Sequence, residues 1–253
     1  VKNGVKEIML IAQDSTYYGL DLYGKRVLPE LLRKISDVKG LEWIRIHYAF
    51  PTGFPMEIIE VMKERKNICN YLDIPLQHGS SRMLKLMRRG TSREKTDTLI
   101  KNIREINPEI SIRTTLIAGH PGEKDEDFEE MYDFVEKNKF DRLGIFTYSH
   151  EEGTHAHSMD DDVPEIVKRR RSNKIMALQQ KVSIENNKNH IGKTMKVLID
   201  RRDAKNYYGR TEFDSPEVDN EVIIPAMDSH LRIGDFADIK ITGAKEYDLI
   251  GRI

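Results

Sequence analysis

The sequence predicts an α/β fold in two parts: an open, partial β/α barrel of TIM type over residues 1–163, and a small all-β barrel of OB-like type over residues 190–253. Three observations carry this expectation. In the first 150 residues, short β-branched or aromatic runs alternate with stretches whose apolar residues recur at three and four, the pattern of parallel strands joined by crossover helices. After Gly192 the period switches to two, with turn residues between the runs. Between the two regions, residues 164–189 form a helical connector that opens at Pro164 and carries the basic run Lys168 to Arg171.

Strands are expected at residues 7–13 (EIMLIAQ), 43–49 (WIRIHYA), 71–77 (YLDIPLQ), 111–119 (SIRTTLIAG) and 142–149 (RLGIFTYS). Helical stripes run through Val27, Leu28, Leu31, Leu32 and Ile35, and again through Met83, Leu84 and Met87. Two more pass through Leu99, Ile100, Ile103 and Ile106, and through Phe128, Met131, Phe134 and Val135. The last begins on Asp125, Glu126 and Asp127, which the helix dipole favours. Five strands are fewer than a closed eight-stranded barrel needs, so the barrel is expected to be open, with its working face at the strand C-termini. In the C-terminal region, runs at 195–199, 207–213, 221–224, 236–241 and 246–253 are separated by Asp214-Ser215-Pro216, Gly234-Asp235 and Thr242-Gly243, which suits a five-stranded barrel.

Composition narrows the function classes. Of 253 residues, 38% are hydrophobic and 33% charged, enough apolar matter for a core, which excludes a disordered chain. Lys and Arg number 41 against 42 Asp and Glu, which excludes a polycation built for nucleic acid. No apolar run approaches the roughly 18 residues of a membrane span, and no signal peptide opens the sequence, so a cytoplasmic protein without a membrane partner is expected. Cys69 is the only cysteine, which rules out a disulfide framework and any cysteine-only zinc or iron–sulfur site built from these residues. Its neighbours predict a half-buried, inert thiol just ahead of a strand. The start at Val1, almost directly in a strand, reads as a fragment.

Two strand ends carry ligand-binding chemistry. Ile74-Pro75-Leu76-Gln77-His78-Gly79-Ser80-Ser81 places an amide side chain and backbone amides where a strand meets a helix. Thr115-Leu116-Ile117-Ala118-Gly119-His120-Pro121-Gly122-Glu123 runs a strand into glycines that admit a ligand to the backbone, with Ile117 as a flat apolar contact for a base. Either stretch is equally an ordinary strand-to-helix turn, and the residues alone leave both readings open. Arg113 would be costly to bury unless it met a carboxylate. His150, His155 and His157 with Glu151 and Glu152 have no register that aligns them as ligands, so no metal site is expected. The run Arg169 to Arg171 reads as a solvated helix face.

In order along the chain, these motifs resemble the radical S-adenosylmethionine methylthiotransferases. The likeness lies in Gln13-Asp14…Tyr18-Gly19, Arg45-Ile46-His47-Tyr48…Pro51, Asp73-Ile74-Pro75-Leu76-Gln77-His78 and Met87-Arg88-Arg89-Gly90. It continues through Arg113, the Ile117 to Glu123 stretch, and Phe146-Thr147-Tyr148-Ser149…Glu151-Glu152-Gly153-Thr154…Ala156. Gly209-Arg210-Thr211 and Pro216-Glu217-Val218-Asp219 are similar to the family's TRAM domain. The resemblance implies a partial barrel of the radical SAM kind. It also implies S-adenosylmethionine as cofactor, with Gln77 and Arg113 at its methionine end, and Ile117, Phe146, Thr147 and Tyr148 flanking adenine. Gln13, Asp14 and Tyr48 are weaker candidates on the same face.

Tyr48-Ala49-Phe50-Pro51 and Leu76-Gln77-His78-Gly79 point to the branch that methylthiolates the β-carbon of an aspartate in the twelfth small-subunit ribosomal protein, S-12. The implied partner is that protein, docking through the TRAM domain; a tRNA partner is less favoured. Residues 190–253 hold ten Lys and Arg against twelve Asp and Glu, a balance that repels a phosphate backbone and attracts a basic protein. The alternatives are a tRNA adenosine methylthiotransferase of the same family and, in another class, a non-catalytic TRAM-type binding module. The family's Cys-x3-Cys-x2-Cys loop, and three further cysteines of a preceding domain, do not occur in this sequence. Its two 4Fe–4S clusters are therefore expected only in the full-length enzyme, and this chain by itself is expected to hold none and to be inactive.

Overall fold

Five parallel strands form one sheet in sequential order, β1 (Glu7–Leu10), β2 (Trp43–Ile46), β3 (Ile68–Asp73), β4 (Ser111–Ala118) and β5 (Arg142–Thr147). These coordinates are a computed structural model that describes residues 1–228 and 230–253. The connections carry α1 (Leu20–Tyr23), α2 (Leu28–Ser36), α3 (Glu57–Glu64), α4 (Ser81–Leu86), α5 (Arg93–Ile106) and α6 (Asp125–Asn138). Alternate strand residues (Ile44, Ile46, Ile68, Leu72, Ile112, Leu116) pack with Leu32, Ile58, Ile103, Met131 and Phe134 in one buried core. Helices therefore cover one face of the sheet, as in a barrel opened along its length and unlike a doubly wound sheet.

Each expected strand ends before its apolar run does, because the run continues into the strand-end loops. The third is displaced most. Pro75 has no donor for a ladder and Gln77 takes a left-handed φ of 72°, so β3 stops at Asp73. Cys69 consequently lies inside β3 and is fully buried, where the sequence predicts a half-buried thiol ahead of the strand; burial pushes its pKa up to about 12. The expected elements also omit α3, a short amphipathic helix whose Ile58, Ile59, Val61 and Met62 are buried while Glu57, Glu60, Lys63 and Glu64 are exposed.

The helical connector is α7 (Glu165–Lys188). Its basic run is a correction to the solvated-face expectation: Lys168 and Arg171, three apart, turn inward, while Arg169 and Arg170 stay exposed. Lys168 Nζ meets Asp161 at 2.7 Å, and Arg171 meets Glu123 and Asp125, each at 2.8 Å. Beyond it, β6 (Thr194–Arg202), β7 (Asn206–Arg210), β8 (Val222–Pro225), β9 (Phe236–Ala244) and β10 (Leu249–Arg252) close into a barrel, in the order β10-β8-β7-β6-β9, around Val197, Ile199, Val222, Ile224, Ile239 and Ile241.

This barrel docks on the helix-free face of the sheet, at the strand-start end. Trp43, Cys69 and Tyr71 pack there with Leu198 and Phe236, the Trp43 and Phe236 rings edge to face at 4.8 Å. Polar groups seal the rest. Glu7 lies between Arg45 Nε (3.0 Å) and Arg210 Nη2 (2.8 Å), and Arg142 Nε donates to Asp214 (2.8 Å). Asn70 donates to Glu212 from both its backbone and side-chain nitrogen, at 3.0 and 2.9 Å. The acidic surplus of the C-terminal region is thus partly turned inward: Asp214 and Asp219 are buried against the sheet and face no outside partner.

Candidate active site

At the opposite, strand-end side of the same face lie two adjoining chambers. The first, of about 580 Å³, is lined by Gln77, Ile117, His120, Phe146, Thr147 and Tyr148, with Leu86, Met87 and Arg89 from the α4 end. The second, of about 490 Å³, is lined by Gln13, Tyr48, Phe50, Pro75, Arg113 and Val218. Gln77, Arg89, Thr115 and Phe146 line both, so the chambers adjoin at a shared wall and together make up the cavity.

The strand ends are shaped by side-chain caps. Gln77 bridges to β4 by donating its N–H to Thr115 O (2.9 Å) and accepting from Ile117 N (2.8 Å), which holds its left-handed backbone in place. Glu123 accepts from Gly119 N at 2.7 Å, and its other carboxylate oxygen meets Arg171. A Cβ on Gly119 would lie 2.2 Å from Lys168 Cγ, so glycine here is what lets α7 cross the end of β4. His78 is buried beside Glu123, its Nε2 at 3.4 Å. Gly119, Glu123 and His78 build the rim and do not line the cavity, whereas Gln77 does.

Of the candidates named from the sequence, the structure brings together Gln77, Arg113, Ile117, Phe146, Thr147, Tyr148, Gln13 and Tyr48 around the cavity. Phe146 is 63% exposed, an aromatic face with nothing packed over most of it. Asp14 does not line it: its carboxylate accepts from Thr16 N and Oγ1, at 2.8 and 2.6 Å, and caps a single helical turn. Of the three histidines, His150 and His157 lie against each other with tilted rings 4.3 Å apart, and only His155 reaches the first chamber.

Arg113 meets the carboxylates its burial requires. Nη1 is 3.0 Å from Asp73, and Nε is 3.3 Å from Asp219 of the C-terminal barrel. Burial pushes the Asp73 pKa up, but His47 and Arg113 outweigh it and hold the group below the usual range. Burial and the nearby Asp214 charge push Asp219 up. Arg113 is therefore already matched by two acids.

Arg89 is the opposite case: it stands in the Met87-Arg88-Arg89-Gly90 motif of the family likeness, which gave it no role at the site. Its guanidinium lies 4.6 Å over the Phe50 ring and lines both chambers, its buried Nε has no hydrogen-bond partner, and no carboxylate pairs with it among the described residues. Burial lowers its pKa, only partly offset by Asp14. A half-buried cation without an anion, beside an apolar slot, fits a ligand carrying a carboxylate and a flat base. Those are the two ends of S-adenosylmethionine, so the residues present fit that cofactor. They do not fit an iron–sulfur cluster: the one cysteine is sealed under the barrel, and among the described residues no group of three His, Cys, Asp or Glu is arranged to hold a metal ion.

Comparison with known proteins gives a consistent picture. The radical SAM superfamily model matches residues 1–135, and the TRAM domain model matches residues 191–253. The chain is 58% identical over 250 residues to the ribosomal protein uS12 methylthiotransferase RimO of Cytophaga hutchinsonii, covering 99% of this chain and 57% of that protein. It is 52% identical over 254 residues to the protein of the same name from Bacteroides thetaiotaomicron, covering 100% of this chain and 58% of that one. The chain thus spans little more than half the length of these relatives. Among solved structures, coproporphyrinogen III oxidase (HemN) of Escherichia coli superposes with a TM-score of 0.54 at 22% identity, over 70% of this chain and 41% of that one, a likeness of fold.

Proposed function

The chain belongs to the radical SAM superfamily, and on that premise we propose that it is the core of a methylthiotransferase acting on the β-carbon of an aspartate in ribosomal protein uS12. The observation that carries the substrate is the identity of more than half, across essentially the whole chain, to proteins that bear that name. Bound S-adenosylmethionine supplies the radical chemistry of the family, and an iron–sulfur cluster of the full-length protein takes part in it. This chain's residues bind and orient. The Arg89 guanidinium, unpaired in the cavity wall, receives the methionine carboxylate, with the Gln77 amide beside it. Ile117 and Phe146 sandwich the adenine, with Thr147 and Tyr148 along its edge. With two of its donors taken by Asp73 and Asp219, Arg113 lends its charge to the second chamber in place of gripping the cofactor.

The target enters the second chamber, beside Gln13 and Tyr48. There it meets the C-terminal barrel, the surface on which uS12 docks. Support for that docking comes from the reach of the residue 211–221 connection into the cavity, since part of the barrel's negative charge faces the sheet.

Intact-mass measurement of uS12 from cells with and without the full-length gene tests the reading. One methylthio increment that disappears on deletion and returns on complementation supports it. An unchanged uS12 mass, with loss of a hypermodified adenosine from tRNA, would move the substrate to the tRNA branch.

A further inference from the structure

Among the described residues, five non-glycine residues have left-handed φ angles: Tyr48, Gln77, Arg88, Lys139 and Glu217. Arg88 and Lys139 follow the last turns of α4 and α6, where that conformation is a common stop. The other three end no helix. Tyr48 and Gln77 line the cavity, and Glu217 directly precedes Val218, which lines it too. Backbone strain without a capping role is therefore confined to the walls of one chamber, and one of its three sites comes from the C-terminal barrel.

The strain at Glu217, at φ 68°, has a visible consequence. It turns the chain so that consecutive side chains point to different places. Asp219 is buried against the sheet and accepts from Tyr71 Oη (2.7 Å), Ser215 N (2.9 Å) and Arg113 Nε (3.3 Å). Val218 stands 59% exposed and lines the second chamber. The anchored aspartate holds the loop, and the valine is what the loop presents. Because Arg113 is matched by Asp73 and Asp219, the contact Val218 offers is apolar shape.

The geometry points to Val218 as a specificity-determining residue: it is the wall against which the target residue's side chain rests, and its size sets how long that side chain can be. Asp219 is its positioning residue. The inference rests on the reading of the chain as a modifier of an aspartate in uS12, and it makes the C-terminal barrel part of the reaction cavity as well as a docking surface.

The test uses the full-length protein and two synthetic peptides, one carrying the target aspartate of uS12 in its natural context and one with glutamate in its place. Peptide binding is followed by fluorescence anisotropy and S-adenosylmethionine binding by calorimetry. Val218→Trp narrows the second chamber and is expected to weaken the aspartate peptide about tenfold or more while leaving cofactor affinity unchanged. Val218→Ala, the milder variant, is expected to narrow the preference for aspartate over glutamate by about threefold or more, as an added methylene of room allows. Wild-type peptide affinity and preference in both variants would overturn the inference, as would loss of cofactor affinity with peptide binding intact. If the wild-type protein bound neither peptide, the reading of function would fall, and this inference with it.

Discussion

The two ends of the sheet's open face are built on opposite principles. At the strand-start end, under the C-terminal barrel, charges are paired and buried, Arg45 and Arg210 on Glu7 and Arg142 on Asp214, and Asn70 hydrogen-bonds Glu212. None of the left-handed, uncapped residues lies among these groups. At the strand-end side, Arg89 has no anion, Phe146 is largely bare, and Tyr48 and Gln77 hold strained backbone. The first end has its partners within the chain. The second is complete only with a ligand, which is how a binding site differs from an interface in the same fold.

Removing a partner at the satisfied end should have the largest effect. Asp214→Ala leaves the Arg142 guanidinium buried and uncompensated, and should destabilise the protein by about 3–5 kcal/mol, measured by urea unfolding. A loss within error of zero would mean that the barrel does not depend on this pair.

Acid should reach the same end through Glu7. Burial pushes its pKa up, yet Arg210 and Arg45 outweigh that and hold it below the usual carboxylate range. A lowered carboxylate contributes stability that is fully present above its unfolded value and is lost as pH falls through the folded one. Unfolding midpoints should therefore decline below about pH 4.5 in the wild type, and less steeply in Glu7→Gln, whose own midpoint is already lower.

The smallest stability effect belongs to the strained end. Glu217→Gly removes the Cβ from a left-handed backbone and should stabilise the protein by about 1 kcal/mol. A destabilisation of the same size would mean that the Glu217 conformation is not strained.

Much of this contrast was legible in the sequence, and the gaps have physical causes. Alternating periods gave the open sheet and the closed barrel, and the strand-end stretches containing Gln77 and Ile117 located the cavity, because parallel sheets bind ligands at the strand C-termini. The need of Arg113 for a carboxylate was readable, but its second acid, Asp219, lies 106 residues away. Arg89 was hidden for the converse reason: what marks it is the lack of a partner, and a sequence does not show which cations fail to find one. Composition counted twelve acids in the C-terminal region without giving their direction, so the inward turn of Asp214 and Asp219 went unread. Asp14 was readable locally, since Asp-Ser-Thr is a capping turn as readily as a ligand set.

The most direct measurement is calorimetric titration of S-adenosylmethionine into the full-length protein and its Arg89→Ala variant, with unfolding followed in parallel. The strand-end cavity as cofactor site predicts about tenfold weaker binding in Arg89→Ala, the equivalent of one charge-assisted contact, with stability unchanged. Equal affinity in the two proteins, or a loss of stability that tracks the loss of binding, would contradict it.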